Sequence, residues 1–74
     1  MTTPDYQTAD LNCAAFLMSQ GHALLSVDRE GSRCTFHYPP EAREDSQAFY
    51  RNAPTPARAF ANAIRDLKAL IRET

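Results

Sequence analysis

The sequence predicts a single small α+β domain: helix, two-stranded antiparallel β-hairpin, short helix and long C-terminal helix, an αββαα order. Apolar residues recur at helical spacing over residues 9–20, alternate with a period of two over residues 22–38, and return to helical spacing over residues 55–72. A chain of 74 residues has room for one domain. Domains of this size bury only about 60% of the surface that the unfolded chain exposes, so we expect marginal stability.

The first helix has clear signals at both ends. Residues 1–7 are polar and contain Pro4, which predicts a flexible N-terminal arm before a domain over residues 8–74. Thr8 is the predicted N-cap, since its hydroxyl can accept a hydrogen bond from an amide of the first turn. Gly21 follows the helix where a left-handed C-cap residue is wanted.

This first helix is apolar nearly all round. At 100° per residue, one face holds Leu11, Ala14, Ala15, Leu17 and Met18. Cys13 and Phe16 point the other way. Either the helix is sandwiched inside the domain, or Phe16 faces a partner chain, and on the second alternative Cys13 and Phe16 form a protein interface.

The hairpin is predicted to turn at Glu30 and Gly31, because glycine adopts positive φ without steric cost. That turn pairs Val27 with Cys34, Leu25 with Phe36 and Ala23 with Tyr38 on one face, and Asp28 with Arg33 and Ser26 with Thr35 on the other. A three-residue turn with a bulge would shift the pairing locally. Both hairpin edges would be open, which invites a second copy to pair and predicts a homo-oligomer.

Two helices are predicted after the hairpin. Pro39 and Pro40 end the strand, and a short helix runs over residues 41–51 with acidic side chains at its start. Thr55 and Pro56 then open the long helix as N-cap and first helical residue. Its core stripe is formed by Phe60, Ile64, Leu67 and Ile71.

Several classes of site are not supported by the residue pattern. The two cysteines, without a signal peptide, predict a reducing cytoplasm, and no apolar run is long enough to cross a membrane. Cys13, Cys34, His22 and His37 lack metal-ligand spacing, so we expect no metal and no cofactor. No nucleophile has a base and an orienting group beside it, which argues against an enzyme. The acidic residues Glu41, Glu44 and Asp45 are explained by the helix dipole.

Charge divides the chain into two unlike parts. Residues 1–50 carry three basic and seven acidic side chains, a balance of −4, whereas residues 51–74 carry five basic and two acidic ones, a balance of +3. Such asymmetry indicates a polyanion or an acidic partner, or two faces of a homodimer. The candidate binding residues are Arg58, Arg65, Lys68 and Arg72, which share one stripe of the long helix. That stripe is either a solvated face or a surface for nucleic acid or an acidic partner.

The pattern as a whole resembles a known family. The run TADLNCAAFLMSQG, a hairpin ending in FHY and the segment FANAIRDLKALI are similar to the bacterial and phage-associated domain of unknown function DUF5659. The matching positions are Thr8, Asp10, Leu11, Ala14, Ala15, Phe16, Leu17, Gly21, Phe36, Phe60, Leu67 and Lys68. The resemblance covers about residues 6–72 and implies a prokaryotic cytoplasm, often within a mobile element. It implies no activity.

Two functions follow as expectations. The first is a non-enzymatic interaction module that self-associates and docks on a larger protein of a phage or mobile element. The alternative is a nucleic-acid-binding accessory protein that uses the basic stripe of the last helix. Neither requires a membrane, a metal or a cofactor.

Overall fold

The computed structural model describes residues 4–73 and shows three helices and a small antiparallel sheet. In chain order the elements are β1 (Tyr6–Thr8), α1 (Leu11–Ser19), β2 (Ser26–Glu30), β3 (Arg33–Tyr38), α2 (Ala42–Tyr50) and α3 (Ala57–Glu73). The strand order in the sheet is β1-β3-β2. The α+β prediction is therefore confirmed, including the long C-terminal helix, but the sheet has a third strand.

Strand β1 corrects the prediction of a flexible arm over residues 1–7. Tyr6 pairs with Tyr38 and Gln7 with His37, so these two arm residues belong to the sheet. Three residues are too few to show a period in the sequence, and their place depends on backbone groups that β3 offers. Residues 1–3 lie outside the described part of the chain. Because β1 pairs with β3, the hairpin keeps one open edge, at β2, and β1 forms the other edge of the sheet.

The hairpin turns one residue later than predicted. Gly31 and Ser32 form the turn, and Val27 faces Phe36 while Arg29 faces Cys34. Gly31 has φ +60° and Ser32 is not in the positive-φ region, as expected for a type II′ turn with glycine first. The pairing is shifted by two positions on the partner strand. Each residue within β2 and β3 therefore keeps its predicted face, since side chains alternate with a period of two. Ala23 and Leu25, predicted on the inner face, precede β2 and are exposed.

Helix α1 begins two residues later than predicted, and its N-cap is Asp10. The Asp10 carboxylate accepts hydrogen bonds from the backbone amides of Asn12 and Cys13, at 3.0 and 3.3 Å. Thr8 instead accepts from the Asp10 amide at 3.1 Å, which fixes the chain just before the helix. The predicted C-cap is confirmed: Gly21 has φ +96° and its amide donates to Met18.

Helix α1 lies at the centre of the core. The largest fully buried side chains are Tyr38, Phe36, Leu17, Leu67 and Cys13. They come from α1, β3 and α3, so α1 is enclosed between the inner face of the sheet and the other helices. The other face of the sheet carries no helix within the described residues. This arrangement leaves α3 with one buried side and one side in solvent.

Candidate functional site

The four basic residues predicted on the last helix lie together on the solvent side of α3. Arg58, Arg65, Lys68 and Arg72 are all exposed. At 100° per residue they span about 80° of the helix surface, and at 1.5 Å per residue they extend over about 21 Å. The prediction that they share one exposed stripe is therefore confirmed. We call these four residues the basic stripe.

The opposite side of α3 fixes the orientation of the basic stripe. Leu67 and Ala63 are buried, while Phe60, Ile64 and Ile71 are packed against the core. Rotating α3 to bury any of the four cations would expose these apolar groups and desolvate a charge, and both changes are unfavourable. Packing of the apolar side of α3 against the core therefore keeps the basic stripe in solvent.

The surface between the cations is small and mostly uncharged. Ala61 lies within the stripe, and Ala69 and Asn62 lie beside it. Asn62 accepts a 2.8 Å hydrogen bond from the Arg65 guanidinium, which restricts that side chain. Helix α3 carries four cations against Asp66 and Glu73, a balance of +2. A rod-shaped anion can approach this face without meeting a bulky side chain.

The C-terminal end of α3 is held by a residue from the sheet. The Arg29 guanidinium on β2 donates to the carbonyl oxygen of Ile71 at 3.2 Å. This carbonyl is among the last four of the helix, which have no intrahelical donor. A cation here also complements the negative end of the helix dipole. Arg29 thus fixes the end of α3 that carries Lys68 and Arg72.

The structure corrects the predicted protein interface at Cys13 and Phe16. Cys13 is fully buried and Phe16 is 3% exposed. The Phe16 ring packs against Phe49 of α2, with the ring centroids 5.6 Å apart. The sequence left two alternatives open for α1, and the structure shows the first of them: the helix is sandwiched inside the domain. Neither side chain is available to a partner in the folded domain.

The surroundings of Cys13 are more polar than the sequence indicates. Burial raises the pKa of its thiol, whereas the nearby side chains of Tyr6, Tyr50 and Thr8 act in the opposite direction. The Tyr50 hydroxyl donates to Asp10 at 2.9 Å. Local desolvation, together with this bond, raises the pKa of Tyr50 to about 12. A buried thiol with a raised pKa is a poor nucleophile, because the thiolate is the reactive form.

Both histidines pair with carboxylates, and the sequence pattern did not predict either pair. His22 lies 2.6 Å from Asp45, and His37 lies 2.6 Å from Asp28. Since a carboxylate can only accept, the Nε2 atom of each ring is the donor. The first pair joins the segment after α1 to α2; the second joins β3 to β2. Of the two pairs, only Asp28–His37 could have been predicted from the sequence, because these residues lie on the same face of neighbouring strands.

The outer face of the sheet forms a shallow concavity of about 310 Å³. It is lined by Gln7, Asp28, Glu30, Arg33 and Thr35. Two carboxylates and one guanidinium give this concavity a mixed charge, with no net preference for an anion.

No group of three or more histidine, cysteine, aspartate or glutamate side chains within residues 4–73 could hold a metal ion. In the same range, no helix combines the length and the apolar character needed to cross a membrane.

Comparison of the chain with protein-family models, curated proteins and solved structures finds no match. The resemblance to DUF5659 stays a prediction.

Proposed function

We propose that this protein is a non-enzymatic binding module that docks on the phosphate backbone of nucleic acid through α3. The observation that supports the proposal most directly is the basic stripe, four exposed cations on one side of a 17-residue helix. Arginine, which supplies three of the four, presents a planar fork that matches phosphate oxygens. The alternative surface on α1 is lost, because Cys13 and Phe16 are buried.

Nucleic acid fits this surface better than an acidic protein does. Phosphates repeat along a nucleic-acid backbone, and the basic stripe repeats along about 21 Å of helix. Small residues between the cations allow close approach to a rod. A protein partner would more often require an apolar centre with aromatic anchors, which this face lacks.

Retention on immobilised DNA tests the proposal. We expect the wild-type chain to be held at about 50 mM salt and released as the salt concentration rises. The double variant R65E/K68E should lose retention, whereas R33E/R51E, with the same change in net charge outside α3, should keep it. Circular dichroism establishes that both variants are folded. Equal behaviour of the two variants, or retention of the wild type on poly-glutamate as firmly as on DNA, would contradict the proposal.

Docking on a protein is the second candidate function, and a different observation favours it. Leu25, just before β2, is 52% exposed and lies beside the β2 edge of the sheet. Exposed apolar residues next to an unpaired strand are typical of strand addition by a partner. The β2 residues Asp28, Arg29 and Glu30 place charges along this edge, and such charges discourage pairing between copies of the chain. On these charges we expect the wild-type chain to sediment as a monomer. A dimer that Leu25→Glu dissociates would show instead that this edge pairs with a second copy of the chain.

A further inference from the structure

The geometry points to duplex DNA as the nucleic acid, with α3 lying across the two rows of phosphates that border the major groove and making no contact that reads the bases. This inference rests on the proposed function and specifies its ligand. Its basis is the spacing of the cations, the chemistry of the side chains between them and the position of the aromatic residues.

The spacing of the arginines matches the width of a groove. Arg58, Arg65 and Arg72 recur every seven residues, which is about 10.5 Å along the helix axis. The major groove of B-form DNA is roughly 12 Å wide. Two successive arginines therefore reach phosphates on opposite sides of the groove, and the flexible side chains cover the small difference. The third arginine reaches the phosphate backbone beyond that groove. Lys68 lies between the last two arginines and adds a fourth phosphate contact.

The side chains among the cations have little capacity to read bases. Ala61 and Ala69 carry no polar side-chain group. Asn62 is the amide that could pair with an adenine, but its oxygen accepts from Arg65. Contacts to phosphates alone position a protein without selecting a sequence. We infer that affinity depends weakly on base sequence.

Single strands are disfavoured because the stripe has no stacking platform. Binding of unpaired bases normally adds aromatic side chains to the cations. Tyr6 and Tyr50 are the tyrosines that keep some exposed surface. Tyr6 is half-buried in β1 with the Arg43 guanidinium 6.0 Å from its ring centroid, and Tyr50 lies on α2 with its hydroxyl bonded to Asp10. Neither belongs to α3.

Duplex RNA is disfavoured by the shape of its grooves. An A-form helix has a deep, narrow major groove that side chains do not enter and that brings its bordering phosphates closer together. The 10.5 Å step of the arginines, about 1.5 Å for each of seven residues, does not fit that major groove. Recognition of the wide minor groove uses hydrogen bonds to 2′-hydroxyl groups, and the alanines among the cations cannot form them. The order of affinity should therefore be duplex DNA first, then duplex RNA and single-stranded DNA.

Fluorescence anisotropy with the full chain tests this order. The probes are a labelled duplex DNA, a second duplex of unrelated sequence, the matching single strand and a duplex RNA of equal length. With four phosphate contacts, the logarithm of the association constant should fall with the logarithm of salt concentration with a slope of about −3.6. Affinity for duplex DNA then drops about 150-fold between about 50 and 200 mM salt. The two DNA duplexes should bind alike.

The variants separate this inference from the proposed function. R65Q/K68Q should halve the slope to about −1.8, while the control R33Q/R51Q should leave it unchanged. Single-stranded DNA or duplex RNA binding as tightly as duplex DNA would overturn the duplex inference while leaving nucleic-acid binding intact. A strong difference between the two DNA sequences would overturn the absence of base reading. No binding to any probe, or an unchanged slope in R65Q/K68Q, would overturn both the inference and the proposed function.

Discussion

The hydroxyl of Tyr38 donates a 2.7 Å hydrogen bond to the backbone carbonyl oxygen of Ala14, and both residues are fully buried. Tyr38 ends the central strand, and Ala14 lies in the middle of α1. The bond therefore joins the sheet to the central helix and satisfies a phenol that would otherwise be an unpaired polar group in the core. It also places β3 beneath α1, which in turn supports α3.

Replacing this phenol should weaken the domain measurably. We expect Tyr38→Phe to lower the free energy of unfolding by about 1 kcal/mol, the usual net value of a hydrogen bond. Tyr50→Phe is the matched control, because it removes the same hydroxyl from a side chain that is 63% exposed. Urea unfolding measures both. An equal or larger loss in Tyr50→Phe would contradict the structural role of the buried bond.

Stability should fall at alkaline pH, and Tyr38 should account for much of the fall. Burial raises the pKa of Tyr38 from 10.0 to about 12. The folded protein then keeps a proton that the unfolded chain has lost. The contribution is therefore complete below pH 10.0 and is lost as the pH rises towards about 12. For one such group the free energy of unfolding decreases by about 1.4 kcal/mol per pH unit in that window.

Urea unfolding at a series of pH values checks this dependence. Tyr38→Phe has no phenol to ionise at this position, so its stability should fall less steeply with pH than that of the wild type. Cys13 and Tyr50, whose pKa values are also raised, remain in the variant and leave a residual slope. Parallel curves for the two proteins would show that Tyr38 is not the group responsible.

The N-cap of α1 can be assigned by substitution. Asp10→Ala should cost about 1 kcal/mol, since its carboxylate accepts from two first-turn amides. Asp10→Asn keeps an accepting oxygen and should cost less. Thr8→Val, nearly equal in shape, removes a single hydrogen bond that lies outside the helix. Thermal unfolding ranks the three, and a larger loss for Thr8→Val than for Asp10→Ala would restore Thr8 as the cap.

Thiol labelling should distinguish the two cysteines. Cys13 is fully buried with a raised pKa, while Cys34 is partly exposed. In folded protein we expect Cys34 to react first and Cys13 to react only as the domain opens. The variants Cys34→Ser and Cys13→Ser isolate each signal in a spectrophotometric assay. Rapid labelling of Cys13 under native conditions would place it at the surface and contradict the core described above.

Local patterns predicted much of the fold. The helical period over α3 identified both its buried side and the basic stripe, because 3.6 residues per turn fix which residues of a single long helix share a side. Gly21 identified the end of α1, since the left-handed conformation there favours glycine. Alternation in the hairpin assigned Phe36 and Tyr38 to the inner face, and the error in the turn shifted the pairing by two positions without exchanging the faces.

Other features depend on contacts between distant parts of the chain. Strand β1 has only three residues and exists through its pairing with β3. His22 finds Asp45 across 23 positions of sequence, and Tyr50 finds Asp10 across 40. These partners are too far apart in the sequence for a local period or spacing to predict that they pair. The N-cap of α1 is Asp10 and not Thr8 because Thr8 is the last residue of β1, so the helix begins only after this strand has ended.

The amino-acid sequence alone determined the α+β class, the order of the main elements and the two unlike sides of α3, because these follow from short-range periodicity and charge. Only the tertiary structure decided that α1 is enclosed, that Cys13 and Phe16 are core residues and that β1 completes the sheet. Burial of a helix that is apolar all round depends on what packs against it. In this chain its covering elements are the sheet, α2 and α3.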